Sequence, residues 1–149
     1  MTIYDELKKD HDDVKEMLGR IEQMSPRAST SKERLFEQLK AAMTAHSRAE
    51  EKVLYDAMKP EETTHDDALE GYEEHHVVDL LMREIARLAP TDEKWTAKFT
   101  VLKENIEHHI QEEEGEFFAK ARKIFDRAAA QEMAAKFLAE KEKHLAKAG

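Results

Sequence analysis

His46 and Glu50 stand four residues apart, and His109 and Glu113 repeat that spacing sixty-three positions later. Each pair is followed at once by another glutamate, Glu51 or Glu114, and then leads into a hydrophobic–aromatic pair, Leu54-Tyr55 or Phe117-Phe118. On a helix of about 3.6 residues per turn, a His and a Glu four apart sit one above the other on the same face. Imidazole and carboxylate together are donors for iron, manganese or zinc. Two such pairs in matched register suggest a bundle that holds metal ions between its helices.

The elements that must position these pairs are long helices. The first tract runs from about Thr2 to Met24, where Ser25-Pro26 stops it. Arg27–Ser31 reads as a short loop whose serines can cap a second helix, ending near Lys59-Pro60. Thr63 and Thr64 offer N-caps to a third helix, with Asp66 and Asp67 favourable at its positive start, and Ala89-Pro90 halts it after about Leu88. Thr91-Asp92-Glu93 opens the fourth, which continues through Gly115, a weak point, to about Phe125. The remainder, about 127–147, is rich in Ala, Lys and Glu and reads as an accessory helix. Short loops between long helices predict an all-α, up-down-up-down antiparallel four-helix bundle with an accessory C-terminal helix, as one domain over 1–149.

Apolar stripes of core-facing spacing run along each helix. The first reads Leu7, His11, Val14, Leu18, Ile21; the second Leu35, Leu39, Ala42, His46, Glu50, Val53, Ala57. The third reads Tyr72, His75, Val78, Met82, Ile85; the fourth Trp95, Phe99, Leu102, Ile106, His109, Glu113, Phe117. Every stripe is broken by His, and two also by Glu, where an ordinary core has Leu or Ile. With antiparallel neighbours, the breaks fall at one height, each roughly 15–20 Å from a helix end at 1.5 Å per residue. A buried carboxylate without a partner costs several kcal/mol or turns neutral, so two among neutral imidazoles make sense if cations supply the missing charge. The candidate metal ligands are therefore His11, His46, Glu50, His75, His109 and Glu113. A shift of one residue would substitute His76, or His108 with Glu112. His65 and His144 read as solvated, and Tyr55, Tyr72 and Phe118 as core packing at the border of the pocket. The Glu-x-x-His pattern of ferritin-like bundles fits poorly: Glu62/His65 straddles a loop and Glu73 lies off the core stripe.

Composition narrows the function classes. The chain has 149 residues, 38% of them charged, with only 4 Gly and 3 Pro, which suits long helices with solvated outer faces. Its formal net charge of −9 disfavours nucleic acid and anionic membrane surfaces as partners. With no cysteine, disulfides, thiolate zinc sites and iron–sulfur ligation are excluded. No apolar run has membrane-spanning length and Met1–Glu6 is not a signal peptide, so a cytoplasmic setting is expected.

Asp10-His11, His46-x-x-x-Glu50-Glu51, Glu74-His75 and His109-x-x-x-Glu113-Glu114 resemble the hemerythrin-like, HHE cation-binding domain family over about residues 3–122. The resemblance implies a four-helix bundle with a non-haem di-iron centre. By position, His11, His46, His75 and His109 would be terminal ligands and Glu50 and Glu113 bridging ones, with Glu51 and Glu114 as further carboxylates around them. Two iron ions are the implied cofactor, and manganese and zinc suit the same donors. Oxygen-carrying hemerythrins place a second His four residues after the third-helix ligand, where this chain has Asp79, and carry an Asp one residue beyond the position of Glu113. A more carboxylate-rich site implies sensing, iron handling or detoxification through dioxygen, nitric oxide or peroxide rather than reversible oxygen transport. Peroxide disproportionation is an enzymatic alternative. A third reading is a metal-responsive interaction module in which the helix from Arg127 onward docks or is exposed.

Overall fold

The computed structural model describes residues 1–25 and 27–148. Helix α1 spans Ile3–Gln23 and α2 begins with Ser29–Glu50, continuing through a π-helical turn, Glu51–Tyr55, into Asp56–Met58. Helix α3 spans His65–Ala86, and α4 begins with Glu93–Glu112, continuing through a second π turn, Glu113–Phe117, into Phe118–Ile124. Helix α5 spans Arg127–Ala148. The first four form the antiparallel bundle, and α5 lies along α2 and α1.

Local chemistry sets the helix ends. Thr2 and Asp5 make a capping box at α1, the Asp5 carboxylate accepting from the Thr2 amide at 2.9 Å. Asp92 caps α4 by accepting from the Lys94 amide at 2.9 Å, as expected of Thr91-Asp92-Glu93. Two expected caps differ. Ala28, not a serine, is the N-cap of α2, and Ser29 and Ser31 lie within the helix. Thr64 precedes α3, yet its hydroxyl turns back to donate to the Met58 carbonyl at 2.7 Å, closing the end of α2 instead. Pro26, the expected stop of α1, lies outside the described residues.

The stripes of α1 and α4 are buried as predicted, but those of α2 and α3 differ. Ala42, Val53 and Ala57 are only partly buried; Met43, Leu54, Tyr55 and Met58 fill the core. The i→i+5 hydrogen bonding of the π turn Glu51–Tyr55 places an extra residue there and rotates the following face by one position, which accounts for Leu54, Tyr55 and Met58 but not for Met43, which precedes it. On α3, Gly71 rather than Tyr72 faces inward. The reason is steric: a Cβ at Gly71 would lie 2.6 Å from Cε2 of Tyr55.

Two apolar clusters result. One gathers Leu7, Leu54, Tyr55, Phe117 and Phe118 with Met133, Ala134 and Phe137 from α5. The other, at the opposite end, includes Val14, Leu39, Val78, Trp95 and Ile106. His11, His46, Glu50, His75, His109 and Glu113, all buried, form a polar layer between them.

Candidate metal centre

All six sequence-predicted residues converge in this layer. One group of donor atoms comes from His11, His46, Glu50 and Glu113, and another from Glu50, His75, His109 and Glu113, each within 4.8 Å. Glu50 and Glu113 belong to both groups, so the pair of clusters suits two metal ions with shared carboxylates. The alternative register is displaced outward: His76 is exposed, and His108 is 66% exposed and pairs with Glu112.

The imidazoles are oriented by a ring of outer carboxylates. His11 Nδ1 donates to Glu114 at 2.7 Å, His46 Nδ1 to Asp10 at 2.8 Å, His75 Nδ1 to Glu51 at 2.7 Å and His109 Nδ1 to Glu74 at 2.6 Å. Each donor and acceptor sit on different helices. The carboxylate precedes the histidine by one residue on α1 and α3 and follows it by five on α2 and α4. The π turns begin where that five-residue reach is needed. Giving the proton to Nδ1 fixes the tautomer and turns each Nε2 lone pair towards the centre.

There the lone pairs of His11, His46 and His75 meet carboxylate oxygens rather than hydrogen-bond donors. His11 Nε2 lies 3.2 Å from Glu113 Oε1, His75 Nε2 3.2 Å from Glu50 Oε1 and His46 Nε2 3.6 Å from Glu50 Oε1. His11 Nε2, His75 Nε2, both Glu50 oxygens and Glu113 Oε1 are buried without a hydrogen-bond partner. Acceptor facing acceptor in a dry core is relieved by a proton or a metal cation between them.

Protons compete for the same atoms. Burial and the neighbouring Glu113 push the Glu50 carboxyl well up, whereas His109 and His11 outweigh burial at Glu113 and hold it well down. Burial lowers His46 to about 4, and it also lowers His75. At His109, burial acts downward but Glu113 and Glu74 win, raising it to about 10; Glu113 and Glu114 likewise raise His11. The split follows Glu113, whose oxygens lie 3.2 Å from His11 Nε2 and 3.2 Å from His109 Nε2, whereas His46 and His75 have the charges of His11 and His109 beside them. Asp10 also accepts from Lys141 at 2.8 Å, and Glu51 from Arg48 at 3.0 Å, so the carboxylates behind His46 and His75 are shared with cations.

Three groups have roles that the spacing did not reveal. The buried Tyr55 phenol donates to Glu113 Oε2 and lies 3.3 Å from His109 Nε2, so Tyr55 belongs to the centre as well as to the core. Its inward position follows from the π turn, which the residue pattern alone does not announce. Lys141 and Phe137 approach from α5; neither lies near a motif in sequence. Asp79 faces away and pairs with Arg48 at 2.8 Å.

The model of the Hemerythrin HHE cation binding domain matches residues 2–121. The chain belongs to the hemerythrin HHE cation-binding family. A protein of Nostoc sp. (strain PCC 7120 / SAG 25.82 / UTEX 2576) described as a DNA nickase is 26% identical over 143 residues. That match covers 96% of this chain and 40% of the relative's length. No solved structure gives a significant match. This hemerythrin-family chain contains no helix, among the described residues, that is long and apolar enough to cross a membrane.

Proposed function

We propose that the chain holds two iron ions and uses them to bind dioxygen, nitric oxide or peroxide, in sensing, iron handling or detoxification. His11 and His46 would serve one ion, His75 and His109 the other, and Glu50 and Glu113 would bridge them. The observation that carries this reading is the buried face of unpartnered acceptors: imidazole lone pairs aimed at two carboxylates by four Nδ1–H···carboxylate bonds. Bound there, iron supplies an exchangeable coordination position and a change of oxidation state, neither of which side chains offer.

The protein's own groups set the terms. Glu50 and Glu113 balance the cationic charge, and the outer carboxylates raise the basicity of the imidazoles. His11 and His46 with the two shared carboxylates, and His75 and His109 with the same two, would each hold an ion, and the bound metal would supply the position at which a small ligand binds. The Tyr55 phenol is a further donor on the His109 side. The apolar residues above and below the layer exclude bulk water. The Nostoc relative is described as a DNA nickase, but a net charge of −9 on this chain opposes binding to phosphates.

Elemental analysis of purified protein is the test, followed by visible absorption before and after dithionite, peroxide and nitric oxide. Two irons per chain with absorption that responds to these reagents is the expected outcome. A protein that takes up no iron, manganese or zinc would end this reading. Nicking of supercoiled plasmid by the iron-loaded protein, lost in Glu113→Ala, would replace it with a DNA-directed one.

A further inference from the structure

Helix α5 lies beyond the residues that match the family, yet it reaches the centre twice. Phe137, fully buried, sets its ring edge against the His46 imidazole at 5.7 Å between centroids. One turn on, Lys141 Nζ donates to Asp10 Oδ1 at 2.8 Å, while Asp10 Oδ2 accepts from His46 Nδ1 at 2.8 Å. Lys141, Asp10 and His46 thus form a continuous chain from the last helix to a candidate ligand. Ala130, Met133 and Ala134 bury the inner face of α5 in the apolar cluster on that side of the layer.

The corresponding position across the centre is built differently. The cation on Glu51 is Arg48, from α2 itself, divided between Glu51 and Asp79. Glu74 and Glu114, behind His109 and His11, have no Lys or Arg within salt-bridge distance among the described residues. Among the described residues, the hydrogen bond and the ring contact that come from outside the four-helix unit lead to His46 and to none of the other three imidazoles.

We infer that Lys141 and Phe137 are positioning residues for His46, so that docking of α5 and metal affinity in the His11/His46 half of the centre are coupled. This rests on the metal-binding reading above. Lys141 holds one Asp10 oxygen and thereby aims the other at Nδ1, which fixes the imidazole tautomer. A cavity of about 130 Å³ between α1, α2 and α5 borders Asp10, His46, Lys141 and Leu145. It gives the Asp10 carboxylate space to turn away once Lys141 is gone, leaving His46 free to rotate and to change tautomer. Loss of a group that orients a metal-binding histidine costs roughly 10–100-fold in metal affinity. Coupling is reciprocal, so a metal that favours the docked helix must also protect it.

The 149-residue chain is titrated with cobalt(II), whose visible bands report on ligation, and α5 is followed by amide hydrogen exchange with and without the metal. Expected are two binding events in the wild type. Lys141→Met should weaken one of them roughly tenfold or more and leave the other unchanged, Lys141→Arg should restore it, and metal should slow exchange in α5. Unchanged affinities in Lys141→Met would overturn the inference, as would equal weakening of both sites or exchange in α5 indifferent to metal. Phe137→Leu supplies a second variant that keeps apolar burial; selective weakening of the same site supports the coupling, and its absence counts against it. A wild type that binds no cobalt, iron, manganese or zinc is a distinct result, since it removes the metal-binding reading itself.

Discussion

Gly71→Ala separates packing at the centre from helix propensity, because the two predict opposite signs. In a helix interior, Ala is worth about 1 kcal/mol over Gly. A Cβ at position 71, however, would lie 2.6, 2.7 and 3.0 Å from Cε2, Cζ and the hydroxyl of Tyr55. A free tyrosine would move aside cheaply. Tyr55 is fully buried, stacked on His75 at 5.2 Å between centroids and held through its hydroxyl to Glu113. Overpacking of this kind costs about 1–3 kcal/mol, and disturbing a bond to a buried carboxylate adds about 1–3 kcal/mol. Set against the helix gain of about 1 kcal/mol, the net loss comes to about 1–5 kcal/mol. For a chain of this length each kcal/mol lowers Tm by about 2–4 °C. Differential scanning calorimetry of the metal-free protein should therefore show Gly71→Ala melting several degrees below wild type. In a Tyr55→Leu background, which removes the obstructing ring atoms, the same substitution should be neutral or stabilising. A rise in Tm for Gly71→Ala with Tyr55 intact would refute the placement of the phenol between α3 and Glu113.

His46→Ala and Glu113→Ala should each hold at most one metal ion; Glu113→Ala, which takes the counter-charge from the buried imidazoles, should lose roughly 3–5 kcal/mol of stability, and His46→Ala, which removes a neutral ring bonded to Asp10, roughly 1–3 kcal/mol; elemental analysis and urea denaturation measure both. His108→Ala and His144→Ala should retain full metal content, and a loss at His108 would indicate the neighbouring register. In the metal-free protein, His46 is held at about 4 against an ordinary 6.5. The unfolded chain then takes up the proton first, so this contribution is full above pH 6.5 and is lost as pH falls towards 4, by at most about 3 kcal/mol. The acid-side loss should be smaller in His46→Gln, as urea denaturation at pH 7, 5.5 and 4 would show. Stripping metal with a chelator should lower Tm to an extent that grows with the metal concentration of the loaded sample, the signature of binding linked to folding.

The layer of six was legible because burial of His and Glu at core spacing is costly and therefore conspicuous on a stripe. The preference for His75 over His76 and for His109 over His108 followed from alignment with His11 and His46, and the structure buries the former and exposes the latter. What escaped the pattern depended on geometry that a regular helix does not have. A period of about 3.6 carries Val53 and Ala57 inward, whereas the π turn substitutes Leu54, Tyr55 and Met58. The thirteen-atom ladder gives no warning of that turn. Lys141 escaped for a different reason. Its partner Asp10 lies 131 residues away, and no periodicity links them.

The carboxylate ring also bears on how a bound ion could leave. Helix α1 orients the imidazole of α2, α2 that of α3, α3 that of α4, and α4 that of α1. No single helix holds a complete donor set, and none can swing out without disorienting a histidine on a neighbour as well as withdrawing its own. Local fraying at the helix ends leaves the centre intact, because the layer lies between two apolar clusters. Release then requires opening of the bundle itself, so the off-rate of the metal should track the unfolding rate and not the chelator concentration. An ion held in this way is kinetically trapped, and the lifetime of the fold becomes the clock for its exchange.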